Sequence, residues 1–198
     1  MHIEIQYLPC LEYVSLLIHS DHVEFEVMEN FPKQTFRNRT YLLGANGMEC
    51  LTVPTLHVSG QKALTKDIRI DYFQDWQRRH IGAIRAGYGK APFFEYFEPY
   101  ISDIFAKKNK FLVDLNIDFI QLIMKILNVD FTHTLTDQFC STITLSHWNQ
   151  INAKQDWQLR TNFKSIPYRQ CFGDSFVPNL SILDLLMNHG KESRNILS

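Results

Sequence analysis

The spacing of apolar and polar residues changes character about a third of the way along the chain. In the first third, apolar runs at residues 3–7 and 22–28 predict strands. The helical spacing of Leu11, Val14 and Ile18 predicts a helix between them. A strand–helix–strand order favours a parallel strand pair with a right-handed crossover. The opening of the sequence therefore predicts the start of an α/β fold.

The Asn46-Gly47 pair lies between the apolar runs 39–43 and 48–53. An Asn-Gly pair between apolar runs is a strong short-range signal for a β-hairpin. Residues 67–71 alternate between polar and apolar side chains, which predicts a further half-buried strand.

From residue 75 onward the pattern is mainly helical. Helices are predicted over residues 75–86, 93–106, 111–127 and 181–189, and the third is apolar enough to lie in the core. Ser181 and Asp184 have the spacing of a capping box at the start of the last helix. Residues 130–146 are rich in threonine without a clear period and predict a loop, and strand or irregular pieces are expected between residues 157 and 172.

These elements predict an α/β fold in one domain that spans residues 1–198. A mixed sheet comes from the N-terminal third, and the helices pack on it. An α+β arrangement is the alternative, because most strands precede most helices.

Composition narrows the class of protein. The chain is 45% hydrophobic and 21% charged with a formal net charge of −1, which is ordinary for a globular protein and argues against a nucleic-acid partner. We find no apolar segment long enough for membrane insertion and no signal-peptide pattern, so a cytoplasmic location is expected. The four cysteines form no C-x-x-C pair and are expected to be free thiols, among which Cys10, just after a strand and a proline, is the better candidate for reactivity.

The most concentrated chemistry lies in the seven residues from Lys33 to Arg39, which hold three cations and two carboxamides. If this segment is extended, Arg37 and Arg39 point to one face and Asn38 points to the other. Two guanidinium groups on one face suit a phosphate or carboxylate. The alternative is a solvated strand edge, since edge strands often carry Lys and Arg.

Two further side chains are candidates for acid–base chemistry. His80 shares a helix face with Trp76 and Ile84, so it is either a hydrogen-bonded core histidine or a general acid or base. Asp184 is either a helix cap or a catalytic acid.

A metal site and a bound cofactor receive little support from the sequence. His19 and His22 offer nitrogen ligands at short spacing, but no second pair stands at structural-zinc spacing, so no metal site is predicted. The glycine pair at residues 82 and 87 has P-loop spacing but lacks the following Lys-Ser/Thr and closes a helix, so no phosphate cradle is predicted there. The cofactor remains unknown.

Several segments together resemble the WbqC-like protein family, which occurs in bacterial surface-polysaccharide gene neighbourhoods. They are Tyr-Leu-Pro-Cys-Leu-Glu-Tyr at 7–13, Lys-Gln-Thr-Phe-Arg-Asn-Arg at 33–39, Leu-Thr-Val-Pro at 51–54, Trp76 with His80, Ala-Pro-Phe-Phe at 91–94, and the closing run from residue 176 to 188. The resemblance covers nearly the whole chain. It is to the shorter branch of the family, because the polar stretch 130–162 stands where longer members carry a segment rich in glycine and tyrosine.

The resemblance implies a cytoplasmic protein that takes part in making or modifying glycans, such as the O-antigen of lipopolysaccharide, and that handles an amino sugar or nucleotide-linked sugar. The first hypothesis for this chain is a transferase that moves a group to or from an amino sugar or nucleotide-sugar, with a sugar phosphate or nucleotide-sugar as the anionic substrate. By matching position, the implied site residues are Lys33, Arg37, Asn38 and Arg39 for substrate binding and His80 and Asp184 for catalysis.

Two departures from the family pattern lie in the first loop. Cys10 and Glu12 stand where an aromatic residue and a glycine are common, and a carboxylate there adds bulk and negative charge near a position where an anionic ligand could approach the backbone.

A non-catalytic binding or assembly protein with a protein partner is the alternative. An exposed apolar patch at residues 93–100 would favour it. By fold analogy, a nucleotidyl-transferring enzyme would show a pocket at the carboxyl ends of the first two strands, lined by Arg37 or Arg39.

Overall fold

The structure is a computed structural model, and it describes residues 1–56, 62–139, 146–153, 158, 160 and 163–197. Strands β1 (His2–Glu4), β2 (Val23–Glu26) and β5 (His133–Leu135) form a parallel sheet in the order β1–β2–β5. Helix α1 (Leu11–Ile18) connects β1 to β2. The predicted strand–helix–strand opening with a parallel pair is confirmed.

Strands β3 (Arg39–Gly44) and β4 (Gly47–Thr52) form an antiparallel hairpin that is a separate sheet. The pairing runs from Gly44 opposite Gly47 to Arg39 opposite Thr52. Gly47 has a φ of +100°, which side chains rarely allow, so this turn requires a glycine after Asn46. The hairpin predicted from Asn46-Gly47 is confirmed.

The remaining chain is mainly helical, as predicted. The helices are α2 (Trp76–Tyr88), α3 (Phe94–Ala106), α4 (Leu112–Ile126), α5 (Ile182–His189) and the short α6 (Ser193–Leu197), which the pattern did not predict. No helix of the described residues is long and apolar enough to cross a membrane.

Helix α4 joins two parts of the core. Val113 and Ile120 pack with the parallel sheet, α1 and α5, while Leu112 and Phe119 pack with the hairpin, α2 and α3. The mixed α/β class is therefore confirmed, with its strands divided between two sheets that share this helix.

The strand predicted over residues 67–71 is wrong. The alternation is real, since Ile68 and Ile70 are buried and Arg69 is exposed. However, the Ile70 amide donates to the Lys110 carbonyl, so the segment makes isolated bridges with loops instead of a ladder with a neighbouring strand. Alternation reports which side chains are buried, but it does not supply a partner strand.

The prediction of a loop over residues 130–146 is also wrong in part, because it contains β5. This strand lies at the edge of the sheet and Thr134 and Leu135 are exposed, so its sequence shows no alternation. Residues 140–145 and part of the stretch expected between 157 and 172 lie outside the described residues, and 163–172 form no helix or strand.

Candidate functional site

The carboxyl ends of β1 and β2, where open α/β sheets commonly bind ligands, hold a buried polar network. Arg37 Nη2 donates to Glu29 Oε2 at 2.8 Å and its Nε donates to Glu29 Oε1. The Arg37 side chain is only 2% exposed. The guanidinium of Arg37 is therefore held by a carboxylate of the same chain.

Residues 146–151 cover this network. Trp148 Nε1 donates to Glu29 Oε2 at 2.7 Å, and the Asn149 amide donates to Glu4 Oε2 at 2.6 Å. Burial raises the pKa of Glu4, and the charge of Arg37 partly offsets this rise. The crevice at these strand ends is thus occupied by the protein's own side chains and by this covering segment.

The basic segment is a turn over residues 36–38, not an extended strand. The Asn38 amide donates to the Thr35 carbonyl at 3.3 Å and closes the turn, and Gln34 has a positive φ of 62°. The condition for Arg37 and Arg39 to share one strand face is therefore not met.

The predicted anion-binding residues consequently have different surroundings. Lys33 is exposed, whereas Asn38 is buried and its Nδ2 donates to the Val53 carbonyl at 3.0 Å. Arg39 opens β3 and is half-buried, and its Nε has no hydrogen-bond partner among the described residues. Of these side chains, Lys33 and Arg39 have groups that are free to meet a ligand.

His80 lies inside the aromatic core on α2. Its Nδ1 is 2.8 Å from the Tyr7 hydroxyl, and its ring packs edge-on against Trp76 and Phe105. Burial lowers the pKa of His80 to about 4, although a hydrogen bond to the Thr52 backbone acts in the opposite direction. A hydrogen bond that raises the pKa of a histidine is one that the ring donates, so the ring donates to the Thr52 backbone and Nδ1 accepts from the Tyr7 hydroxyl. Because the pKa is about 4, the ring is neutral at pH 7.

One edge of His80 reaches a cleft of about 340 Å³. The cleft is lined by Glu49, Cys50, Leu51, Thr52, Pro54, Gln74, Arg79 and His80. His80 thus combines the contacts of a core histidine with access to this cleft.

We expect the protein to lose stability through His80 as the pH falls from about 6.5 toward 4. The folded pKa is about 4 and the usual value is 6.5, so the unfolded chain binds a proton in this window that the folded chain does not. The loss should be on the order of 2 kcal/mol at pH 4.5. The measurement is urea unfolding at pH 7 and pH 4.5 for the wild type and His80→Gln, which keeps an amide near Tyr7 but does not titrate.

The stability advantage of the wild type over His80→Gln should therefore shrink at the lower pH. An advantage that is independent of pH would contradict the neutral, buried state of His80.

Asp184 lies in the first turn of α5, but it does not complete a capping box. Ser181 Oγ accepts from the Leu183 amide at 3.3 Å and caps the helix. The Ser181 amide, which the carboxylate would have to reach, already donates to the Tyr41 carbonyl. The capping-box interpretation of Asp184 is wrong for this reason.

The Asp184 carboxylate is instead held by the segment that precedes α5. Its Oδ2 accepts from the Tyr168 hydroxyl at 2.7 Å and from Gln170 Nε2 at 2.8 Å. Its Oδ1 is buried and has no hydrogen-bond partner among the described residues. Burial raises the pKa of Asp184, while hydrogen bonds from Tyr168, Gln170 and Tyr88 and the charge of His189 partly offset this rise. Asp184 is therefore a carboxyl group that holds its proton more readily than a solvated one.

Beside Asp184 lies a cavity of about 410 Å³, which we call the α5 cavity. It is lined by Lys90, Pro92, Arg169, Gln170, Cys171, Asn188 and His189. Gln170 contributes to the cavity wall and also binds Asp184. The volume lies in the range of small-molecule sites, and none of these lining residues is acidic.

The sequence did not single out Lys90, Arg169 or Gln170. Lys90 and Arg169 are far apart in the chain and neither belongs to a motif, so only the fold brings them together. The sequence feature that indicated this site was Asp184, because the family resemblance includes the closing run that contains it.

Neither Cys10 nor Cys171 is a reactive thiolate at neutral pH. Burial raises the pKa of Cys10 to about 12, and burial together with the Asp184 charge raises the pKa of Cys171. Cys171 Sγ lies 3.5 Å from Asn188 Oδ1. Cys10 is a packing residue of the core around α1, so its candidacy as a reactive group gains no support.

The negative charge of Glu12 is compensated inside the protein. Arg160 donates to both carboxylate oxygens, with Nε at 2.8 Å from Oε1 and Nη2 at 2.7 Å from Oε2. Asn179 Nδ2 lies 3.3 Å from Oε2. The departure from glycine at this position therefore creates an internal ion pair rather than a free charge in the first loop.

The paired histidines do not converge. His19 Nδ1 lies 2.7 Å from the Ser15 carbonyl, whereas the ring of His22 is hydrogen-bonded to Thr132 and Thr134. Within the described part of the chain, no three His, Cys, Asp or Glu side chains are placed to hold a metal ion.

The fold and the α5 cavity define an α/β protein with a ligand-sized cavity that carries two cations beside a buried aspartate. The family model for the WbqC-like protein family matches residues 5–159 and 141–196. The chain therefore belongs to the WbqC-like protein family. No curated protein and no solved structure matches the chain.

Proposed function

We propose that this protein is an enzyme of surface-polysaccharide or sugar-precursor biosynthesis that transfers a group to or from an amino sugar or nucleotide-sugar in the α5 cavity. One observation carries the proposal: Asp184 is a buried carboxyl group with a raised pKa, held by a side chain that lines a ligand-sized cavity. A carboxyl group with a perturbed pKa beside a cavity is a candidate for a functional site.

In this reaction Asp184 takes the proton that the attacking amino or hydroxyl group loses, or returns a proton to the leaving group. The Asp184 side chain is fully buried and does not itself line the cavity, so the proton passes between Asp184 and the substrate through an intervening group or water molecule. General acid–base catalysis of this kind contributes ~100- to 10,000-fold to the rate.

The other candidate residues take different parts in the proposal. His80 is the second acid–base candidate, at the cleft that it lines, and Lys33 and Arg39 are additional contacts for an anionic substrate. Arg37 and Asn38 act through the shape of the turn that presents Arg39, because their polar groups contact the protein interior.

A second candidate function, a binding or assembly protein for a polysaccharide pathway, is favoured by the outer face of α3. Tyr96 is 69% exposed and Tyr100 is 54% exposed, and the rings of Phe93 and Phe97 stack beside them. Such a face suits a protein partner.

An assay for substrate turnover distinguishes the two functions. Purified protein should be incubated with nucleotide-sugars that carry amino or N-acyl groups, together with acyl and aminoacyl donors, and the mixtures followed by mass spectrometry. The enzyme proposal predicts a protein-dependent mass change on the sugar, and the size of the change names the group. No change with any mixture, together with a specific protein partner that binds the α3 face, would support the second function instead.

A further inference from the structure

The geometry points to the α5 cavity as the binding site for a phosphate group of the substrate, with Lys90 and Arg169 as its charged contacts. The identity of the phosphate as part of a sugar precursor rests on the proposed function, whereas the phosphate site itself does not. In this assignment the α5 cavity, and not the basic segment at residues 33–39, is the main contact for the anion.

The charges of the cavity are not compensated within it. Lys90 and Arg169 are both exposed, and neither forms an ion pair with a described residue. By contrast, Arg85 and Lys107 pair with carboxylates on neighbouring elements. Two free cations that line one cavity without a lining carboxylate attract an anion, and an arginine can bind two phosphate oxygens at once.

The start of helix α3 adds to these two cations. Helix α3 begins at Phe94, two residues after the lining residue Pro92, so the positive end of its dipole lies at this side of the cavity.

A purely structural role for the cations is the competing interpretation. Helices α2 and α5 end at Tyr88 and His189 beside the cavity, and cations near helix C-termini offset the partial negative charge of the last carbonyl groups. In that case, replacing Lys90 and Arg169 would lower stability slightly and would leave ligand binding unchanged. The two interpretations therefore differ in a binding measurement.

The test is isothermal titration of the full chain with pyrophosphate, uridine diphosphate and glucuronate. The variant is Lys90→Gln/Arg169→Gln, and the matched control is Lys66→Gln/Arg78→Gln, which removes the same charge from exposed residues that do not line the cavity. We expect the wild type and the control to bind both phosphate probes, and the cavity variant to bind them at least tenfold more weakly.

Three results would overturn the inference: no binding of either phosphate probe by the wild type, equal binding by the cavity variant, or an equal loss in the control. If glucuronate binds while neither phosphate probe does, the first of these results would assign the cavity to a carboxylate instead. Asp184→Asn should keep phosphate binding, so a failure of this inference is distinguishable from a failure of the proposed catalytic role.

Discussion

Arg37→Met should destabilise the protein by about 3–5 kcal/mol, which is the usual cost of removing one partner of a buried ion pair. The substitution leaves the Glu29 carboxylate buried without its cation. It also removes the charge that partly offsets the raised pKa of Glu4. The measurement is the free energy of unfolding in urea at pH 7.

Two variants sharpen this test. Arg37→Met/Glu29→Gln should recover part of the lost stability, because the amide oxygen still accepts from Trp148 while the buried charge is gone. Arg39→Met should cost less than about 1 kcal/mol, since Arg39 is half-buried and forms no ion pair with a described residue. If Arg37→Met folds with wild-type stability and loses phosphate binding, the structural role of Arg37 is refuted.

Asp184→Asn should lower kcat by about 100- to 10,000-fold while leaving the KM for the sugar substrate nearly unchanged. The amide keeps the size of the side chain and still offers an oxygen to Tyr168 and Gln170. It cannot exchange a proton at neutral pH, so only the acid–base step is lost. The measurement is steady-state kinetics with the substrate that the mass-spectrometric screen identifies.

Tyr168→Phe is the matched control for Asp184→Asn. It removes one of the hydrogen bonds to Oδ2 and keeps the carboxyl group, so it should raise the pKa of Asp184 and shift the pH–rate profile upward, with a smaller effect on kcat. Thermal unfolding of both variants checks that they fold. A folded Asp184→Asn protein with wild-type kcat would remove Asp184 from the mechanism.

The parts of the fold that depend on local rules were predictable from the sequence. The hairpin followed from Asn46-Gly47, and the helices followed from apolar spacing along segments of eight residues or more. Strand β5 was not predictable, because a short edge strand with two exposed residues has no periodic signal. For the segment around Ile70 the pattern predicted a strand that does not form, because alternating side chains without a partner strand make no hydrogen-bonded ladder.

The candidate site was predictable only in part because its pairs are long-range. Asp184 was singled out by its place in the closing run, but its partners Tyr168 and Gln170 lie in an irregular segment without periodicity. The pairing of Arg37 with Glu29 depends on a turn at residues 36–38, which the strand-like pattern concealed. Local rules therefore located the basic segment but could not give the direction of each side chain.

The ion pair between Glu12 and Arg160 shows the same limit. The first loop showed only an extra carboxylate, and the cation that compensates it comes from the other end of the chain. The sequence around Glu12 therefore suggests a carboxylate that would repel an anionic ligand, whereas the fold pairs that carboxylate with a distant cation.

A crystal structure of the protein soaked with UDP-N-acetylglucosamine, a nucleotide-sugar that carries an amino sugar, would test the α5 cavity as the substrate site. We expect diphosphate density in the α5 cavity, within hydrogen-bond distance of Lys90 and Arg169, with the sugar toward Asp184. Density in the cleft beside His80, with no ligand density in the α5 cavity, would refute this site.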